Sequence, residues 1–590
     1  MKKKVQFGGH ADAAAMTAIG AAATISSPFF AQVPLETGMG LAAMGGAWIG
    51  KRLIEGFYEK NLIQTRLNIE SSNLLSTDDN GFLIGYRTDT GQPVYLPYDA
   101  PNRHGIIQGG SGMGKTTLAK LMLLQQIQRG GGLLFVDAKL DSSDLETIYQ
   151  FASWCGRTQD VWVINPGNPA ESNTYNPILY GDPDEVADRM LALIPASEDN
   201  PGADYYRQST KQGLTTLVAA LQAAGLAYNF LDLSILIQNE LALKDLERRM
   251  HKQIPHHPAT KAFALFLEQY RGGFGKNDSK NELNMKKLKD IFGGIGSRLH
   301  SFGTGNFGEV TASYSPQVRL YEGIRQNKII VLRLPTMGKS EAALSFAKMT
   351  LADLRTAISW LQQLPEDQRP NPAFLALLDE LGSYGMQAMS QPLEQGRSAG
   401  ISLWPMVQTY AQLDKVSPEF KQIVNGTTGT KIYFGVWDQI GAEEAAELIG
   451  KTMVVRDGMS TTARNSVSTP KAAVSPEGGT SDDTAVGFSE SEEEDYRVSA
   501  DDIKRLPRGQ CIMLYQGNDL FHLQVPLVQV DKALAKEIGP ARINYIRTPP
   551  VQGCDYFHRA HEFIAGGKLK GSGAAGTNNQ TQDANGTPAH

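Results

Sequence analysis

The chain has 590 residues, of which 41% are hydrophobic, with 56 basic and 62 acidic side chains and a net charge of −6. That apolar share supports a sizeable core, and at roughly 100–200 residues per domain the length allows three or four domains. The acidic balance excludes a surface that is basic throughout, so any nucleic-acid contact is confined to one patch or a lined channel; Cys155, Cys511 and Cys554 are too few and too far apart for a disulfide framework or a zinc site and read as reduced thiols in a cytosolic body.

The N-terminus differs from the rest. Lys2, Lys3 and Lys4 precede a stretch from Ala13 to Gly50 whose only charged residue is Glu36, and Lys51 and Arg52 close it. Pro28 and Pro34 rule out one long helix across the middle. The expected structure is a membrane hairpin of two short helices, 13–30 and 35–49, with basic residues at both outer ends holding those ends in the cytoplasm. Alanine and glycine dominate, and the spans sit at or below the usual ~17–25 residues, so a soluble helical pair is the alternative. Residues 1–52 form this anchor.

Residues 53–181 lead into strands. "GFLIGYRTDTGQPVYLPY" predicts a β-hairpin turning at Thr90-Gly91. "RHGIIQGG" is a short apolar strand ending in glycines, followed by a helix in "TTLAKLMLLQQIQRG" and further buried strands in "GGLLFVDAK" and "DVWVINP". Strand and helix in alternation predict an α/β domain with a mainly parallel central sheet. Residues 182–315 carry helical signal and predict an all-α insertion. Buried strands return over 316–530 in "NKIIVLRLP", "NPAFLALLDEL", "GISLWPMVQ" and "TKIYFGV". Residues 456–495, rich in Ser, Thr, Gly, Glu and Asp, predict a solvated loop, and "RVSADDIKRLPRGQCIMLYQG" resumes ordered structure. Residues 531–590 form a C-terminal extension, disordered from about 566.

The chemistry centres on "GGSGMGKTT". Gly109, Gly114, Lys115 and Thr116 stand in the G-x-x-x-x-G-K-T arrangement, between an apolar strand and a helix. Backbone amides from Gly109, Gly110, Ser111, Gly112, Met113, Gly114, Lys115, Thr116 and Thr117 would cradle phosphate oxygens; Lys115 reaches the β- and γ-phosphates, and the Thr116 hydroxyl coordinates Mg²⁺. This predicts ATP and Mg²⁺ as cofactors. "FLALLDEL" delivers Asp379 and Glu380 at a strand tip, Asp379 to hold Mg²⁺ and Glu380 to polarise the attacking water, with a capping role for Asp379 as the structural alternative.

Arg397 in "LEQGRSAGI" could stabilise γ-phosphate charge in a neighbouring subunit's site, or make a surface salt bridge. Gln408, at the end of a strand-like run, could sense that phosphate, or be a loop residue. Asp137 and Lys139 end a strand on the nucleotide side of the sheet, where ordinary loop polarity is an equal reading. Arg248, Arg249, Lys252, Lys276, Lys280, Lys286, Lys287 and Lys289 read as a solvated helix face, with contact to DNA phosphates as the sharper alternative. His256-His257 has no matching ligand cluster and reads as surface.

Together "GGSGMGKTT", "FVDAKLD", "TYNPI", "LLDELGS", "QGRSAGI", "VQTYAQL", "VNGTTGTKIYFG" and "YRVSADDIKRLPRGQCIM", in this order over about residues 100–530, resemble the type IV secretion coupling proteins, the TraD/TraG-like ATPases of conjugation. The resemblance implies a RecA-like P-loop domain and a homo-hexameric ring anchored in the bacterial inner membrane, with the ATPase in the cytoplasm. It implies DNA and relaxase as cargo, components of the secretion channel as partners, and roles in nucleotide hydrolysis for Lys115, Thr116, Asp379, Glu380, Arg397 and Gln408. Departures are the short connection between the two N-terminal helices, Ala138-Lys139-Leu140 where the family has a Pro-Lys-Gly-type sequence, and a tail without a long acidic extension. The expected function is a DNA-translocating ATPase; an ATP-gated recruitment scaffold for protein substrates and a chromosome-partitioning translocase are the alternatives.

Overall fold

The structure, a computed structural model, describes residues 81–97, 104–194, 201–272, 282–338, 340–465 and 482–564. The expected membrane hairpin and the tail beyond 565 lie outside the described residues. No described helix is long and apolar enough to cross a membrane. Two compact units emerge: residues 1–164 with 320–544, and residues 165–319 with 545–590.

The first unit is built on one sheet. Its strands are β1 (Phe82–Arg87), β2 (Pro93–Leu96), β3 (His104–Gln108), β4 (Leu133–Asp137), β5 (Val161–Ile164), β6 (Ile329–Arg333), β7 (Phe374–Leu378), β8 (Ile401–Val407) and β9 (Thr428–Phe434). After a two-stranded ribbon, β10 (Lys451–Asn465) and β11 (Asp482–Tyr496), come β12 (Gln510–Tyr515) and β13 (Asp519–Gln524). The sheet order is β2-β1-β13-β12-β9-β3-β8-β7-β4-β6-β5. From β9 to β5 every pairing is parallel, and the β12, β13, β1 and β2 side is antiparallel. The mainly parallel centre expected from the sequence is therefore present, and the β1–β2 hairpin turns at Gly91, whose φ is +70°.

The continuous apolar runs follow from this architecture. Every residue of β3, β4, β6, β7 and β8 is buried, as parallel strands covered on both faces require. Helices α1 (Lys115–Gln128) and α2 (Ser142–Trp154) contribute Leu118, Met122, Ile127, Ile148 and Phe151 to one core with Leu133, Phe135, Val331 and Leu377. Each such side chain, fully buried, stabilises the fold by about 1.5–3 kcal/mol.

The ribbon corrects the expectation of a loop over 456–495 at residues 456–465 and 482–495; residues 466–481 lie outside the described residues. β10 and β11 pair antiparallel from Lys451↔Tyr496 to Asn465↔Asp482. The polar composition that suggested a loop reports solvation, while an antiparallel ladder satisfies its own backbone and needs only strand-compatible residues such as Val454, Val455, Thr461 and Thr462.

The second unit is helical. It contains α3 (Pro183–Leu191), α4 (Pro201–Ala223), α5 (Phe230–Gln238), α6 (Glu240–Gln253), α7 (Pro258–Glu268), α8 (Met285–Gly303) and α9 (Gly305–Thr311). Side chains cap several starts: Asn229 for α5, Asn239 for α6, His257 through Nδ1 for α7 and Asn284 for α8. Residues 545–564 belong to this unit. Ala227 N donates to Gln552 O at 2.8 Å, Phe557 N to Asp232 Oδ1 at 2.9 Å, and Arg559 to Asp245 at 3.1 Å. Of the basic residues noted above, Arg249 is paired with Asp245 and Lys287 lies over the Tyr270 ring; Lys276 and Lys280 lie outside the described residues.

β3 opens on a buried histidine. His104 Nδ1 accepts from Leu403 N at 2.9 Å, so the ring is neutral with its proton on Nε2. Burial, with the Arg397 charge adding to it, pushes the imidazole down to about 4. An unfolded chain therefore takes up this proton first as pH falls through about 6.5, and the stability it confers is lost between there and about 4. His104→Asn keeps an acceptor but cannot be protonated. Urea unfolding from pH 7 to pH 4 is expected to show a loss for wild type that exceeds the variant's by up to about 3 kcal/mol; parallel profiles would contradict the assignment.

Candidate functional site

The glycine loop is fixed by its neighbours in the sheet. Gly109 N donates to Val407 O at 3.2 Å and Gly110 N to Gly435 O at 2.8 Å, which ties the loop's entry to the ends of β8 and β9. A Cβ on Gly109 would stand 2.5 Å from the Phe434 Cβ, so only glycine fits there. Gly112 and Gly114 have φ of +74° and +127°, a region that L side chains rarely occupy. Met113 is buried and its carbonyl accepts from Gly509 N at 2.8 Å, closing the far side of the loop. The chain then enters α1 at Gly114, which offers no side-chain cap. The first-turn amides and the positive end of the helix dipole are thus presented together, the arrangement that binds phosphate.

Lys115 is buried, and its Nζ donates to the carbonyls of Gly109 at 2.6 Å and Gly110 at 3.2 Å. Burial lowers its pKa, the Lys139 charge adds to that, and Glu380 and Asp379 oppose it. Lys115 and the two carboxylates are therefore near enough for their charges to be felt at the lysine, and Asp379 feels Lys115 in turn. The sheet explains this: β8 alone separates β3 from β7, so the loop and the acidic tip share one edge about 10 Å apart in strand spacing.

Asp379 and Glu380 follow β7 directly. Asp379 N donates to Val136 O at 3.3 Å, and the buried Tyr384 hydroxyl donates to Asp379 O at 2.7 Å. Burial raises the Asp379 pKa, with Lys139 as the main opposing charge. Glu380 has φ of +56°, a left-handed conformation that costs a non-glycine residue about 1–3 kcal/mol. That turn directs its carboxylate to Gln408, whose Nε2 donates to Oε1 at 2.8 Å, and to Gln412, whose Nε2 lies 3.4 Å from Oε2. Lys139 Nζ sits 3.3 Å from Asp379 Oδ2 and 3.4 Å from Glu380 Oε1. Beneath, Asp137 is buried beside Arg333 and pushed up to about 6, chiefly by burial.

The expected site residues fall into two places. Gly109 through Thr117 form one loop and helix start, with Ser111 and Gly112 exposed and Thr116 and Thr117 half-buried; Asp379, Glu380 and Gln408 face the same edge. Arg397 does not join them. It is exposed in the turn Gly396–Ala399 before β8, close to His104 at the start of β3. The seven residues of β8 put about 20 Å between it and the Gln408 end. Within one chain it serves another surface.

Gln412 is a residue that sequence reasoning missed. Its Oε1 accepts from Gln408 N at 2.8 Å while its amide faces Glu380, so it holds both groups at once. The signal was its place four residues after Gln408, within the short helix Ala411–Asp414 that follows β8. Lys139 was noted, but its pairing with both carboxylates was not.

The residues suit a metal–nucleotide. Asp379 Oδ1 is buried without a partner, an oxygen of the kind a hard divalent cation takes, and Thr116 lies at the start of α1 to supply a hydroxyl. A carboxylate held by two amides, facing a lysine-bearing phosphate loop, can orient water and accept its proton.

A glycine loop between strand and helix, opposite an acidic strand tip on a parallel sheet, defines a P-loop nucleotide-binding protein of the α/β class. Comparison with known proteins narrows this. Residues 373–508 match the family described as the TraM recognition site of TraD and TraG. The type 4 coupling protein DotL of Legionella pneumophila subsp. pneumophila is 24% identical over 390 residues, 59% of this chain and 49% of DotL, so the match spans about half of that relative. The fold is that of the bacterial conjugative coupling protein TrwBdeltaN70: TM-score 0.52 at 16% identity, covering 77% of this chain and 90% of that one. Its trigonal, sulphate-bound form gives 0.52 at 14%, covering 81% and 95%. In these matches the chain is similar to the type IV secretion coupling proteins of the TraD/TraG type.

Gln412→Ala removes one support of Glu380 and leaves Gln408 N without its acceptor. Nucleoside triphosphate hydrolysis is expected to fall about tenfold in kcat with KM within about twofold. An unchanged kcat would show that Gln412 plays no part in orienting the carboxylate.

Proposed function

We propose that this chain is the coupling ATPase of a type IV secretion or conjugation system, which recruits a relaxase–DNA complex and uses ATP hydrolysis to drive DNA transfer through the secretion channel. One observation carries the reading. Lys115, the adjacent Asp379 and Glu380, and Gln408, from three separate stretches of sequence, converge on one edge of the sheet. TrwB, with the same fold, has been captured with the non-hydrolysable ATP analogue ADPNP and the GTP analogue GDPNP, at TM-scores of 0.50 and 15% identity in each case.

In this reading the amides of Gly109 to Thr117 hold the triphosphate and Lys115 draws charge from its terminal phosphate. Mg²⁺, held by Thr116 and Asp379, would neutralise charge on the phosphates. Glu380, fixed by Gln408 and Gln412, orients the attacking water and accepts its proton. The position of Arg397 at the opposite edge supports action in trans, in a ring of identical subunits in which each copy completes its neighbour's site; the family resemblance makes that ring a hexamer. Anchorage in the bacterial inner membrane by residues 1–52 and a cytoplasmic ATPase body complete the proposal.

Two assays test it. Turnover per chain is expected to rise cooperatively with protein concentration and further with DNA. Lys115→Ala is expected to abolish it, and Glu380→Gln to lower kcat at least about 100-fold while keeping nucleotide binding. No response to DNA at any protein concentration would remove the motor. Separately, Arg397→Ala and Glu380→Gln are each expected to be nearly inactive alone. Their mixture is expected to regain activity, because a Glu380→Gln copy lends its arginine to an intact carboxylate; a mixture as inactive as its parts would show that Arg397 does not act between copies.

A further inference from the structure

The acidic tip already carries a cation of its own. Lys139 follows β4 by one turn, and its amide donates to Asp137 Oδ1 at 2.9 Å. Leu140 then takes φ of +56°, and Arg333 Nη2 donates to its carbonyl at 3.1 Å, which pins the turn from below. The lysine stem is half exposed, but its ammonium reaches between two buried carboxylates, 3.3 Å from Asp379 Oδ2 and 3.4 Å from Glu380 Oε1. The two acids differ in their other partners. Glu380 has Gln408 and Gln412. Asp379 has Lys139 on Oδ2 and no partner on the buried Oδ1. Its carboxylate charge is therefore balanced first by Lys139, and only electrostatically by the more distant Lys115.

We propose that Lys139 is a positioning residue that acts as a displaceable cation: it holds Asp379 and Glu380 in place and competes with a divalent metal for Asp379. The proposal rests on the ATPase reading above and deepens it. A monovalent ammonium on a flexible four-carbon stem is held by charge more than by geometry, so it can yield Asp379 without disturbing β7. A free divalent cation meets Asp379 already neutralised and gains little from the exchange. A cation arriving on a triphosphate brings the phosphate oxygens as further ligands and displaces the ammonium, which keeps Glu380 as its partner. The site thereby selects the metal–nucleotide complex over the free metal. Sequence alone does not reveal this, because a lysine after a strand reads equally well as loop polarity.

Mn²⁺ binding to the purified full chain without nucleotide, followed by electron paramagnetic resonance, tests the proposal without reference to activity. Wild type is expected to bind Mn²⁺ weakly, and Lys139→Met at least about tenfold more tightly, since a charge a few ångströms away is worth that much or more at a partly buried site. Lys139→Arg keeps the charge and is expected to stay within about threefold of wild type. Adding Asp379→Asn to Lys139→Met is expected to erase the gain. Equal affinity in wild type and Lys139→Met overturns the proposal. So does a matching gain in Lys139→Arg, or a gain that survives Asp379→Asn. Binding of a fluorescent ATP analogue to the same wild-type protein separates the two claims: no nucleotide binding with the Mn²⁺ pattern intact strikes the ATPase reading and leaves the competing cation standing.

Discussion

Asp379 and Glu380 are adjacent, buried and of like charge, and much of the surrounding structure answers the problem they pose. A carboxylate removed from water loses several kcal/mol of hydration unless cations and donors replace it. Lys139 lies against both groups, Lys115 adds its charge from the phosphate loop, and Gln408 and Gln412 donate to Glu380. The left-handed Glu380 turns its side chain toward those glutamines. Strain at that residue persists because the strands on either side of β7 hold its tip.

The parallel sheet is what lets these groups meet. β3, β8, β7 and β4 all end at one edge, so the loops that follow them bring Lys115, Gln408, Glu380 and Lys139 together although they are far apart in sequence. The same geometry separates Arg397 from Gln408 by the length of β8, one at each end of the strand. A single chain thus offers an edge that joins the glycine loop to the acidic tip and, at the opposite edge, an exposed guanidinium. A ring of copies is the simplest way to join them, and the separation follows from the strand direction alone.

The strands of this sheet were legible because they are buried on both faces: β3, β4, β6 and β7 are buried at every position and each carries a short apolar run, with polar residues such as Gln108, Asp137 and Arg333 only at strand ends. The phosphate loop was legible because its glycines answer to steric limits that a sequence displays. Strand order was not. The placement of β12 and β13 between β1 and β9 depends on long-range pairing that no local pattern encodes. The β10–β11 ribbon was hidden by composition, since its polar residues signal solvent and not backbone conformation. The docking of residues 545–564 on the helical unit rests on Asp232 and Asp245, two acids that in sequence look like any others on a helix. Gln412 was hidden for the same reason: a glutamine becomes part of a site only through the short helix that aims it.

The central claim is that a triphosphate's terminal group lies between Lys115 and Glu380 of one copy. A cryo-EM structure of the full chain with a non-hydrolysable ATP analogue and Mg²⁺ measures this directly. The terminal phosphate is expected within contact of Lys115 Nζ, with a water between it and the Glu380 carboxylate and Arg397 of another copy facing it. A nucleotide seated away from Gly109–Thr117, or a Glu380 carboxylate turned away from the phosphates, would contradict it.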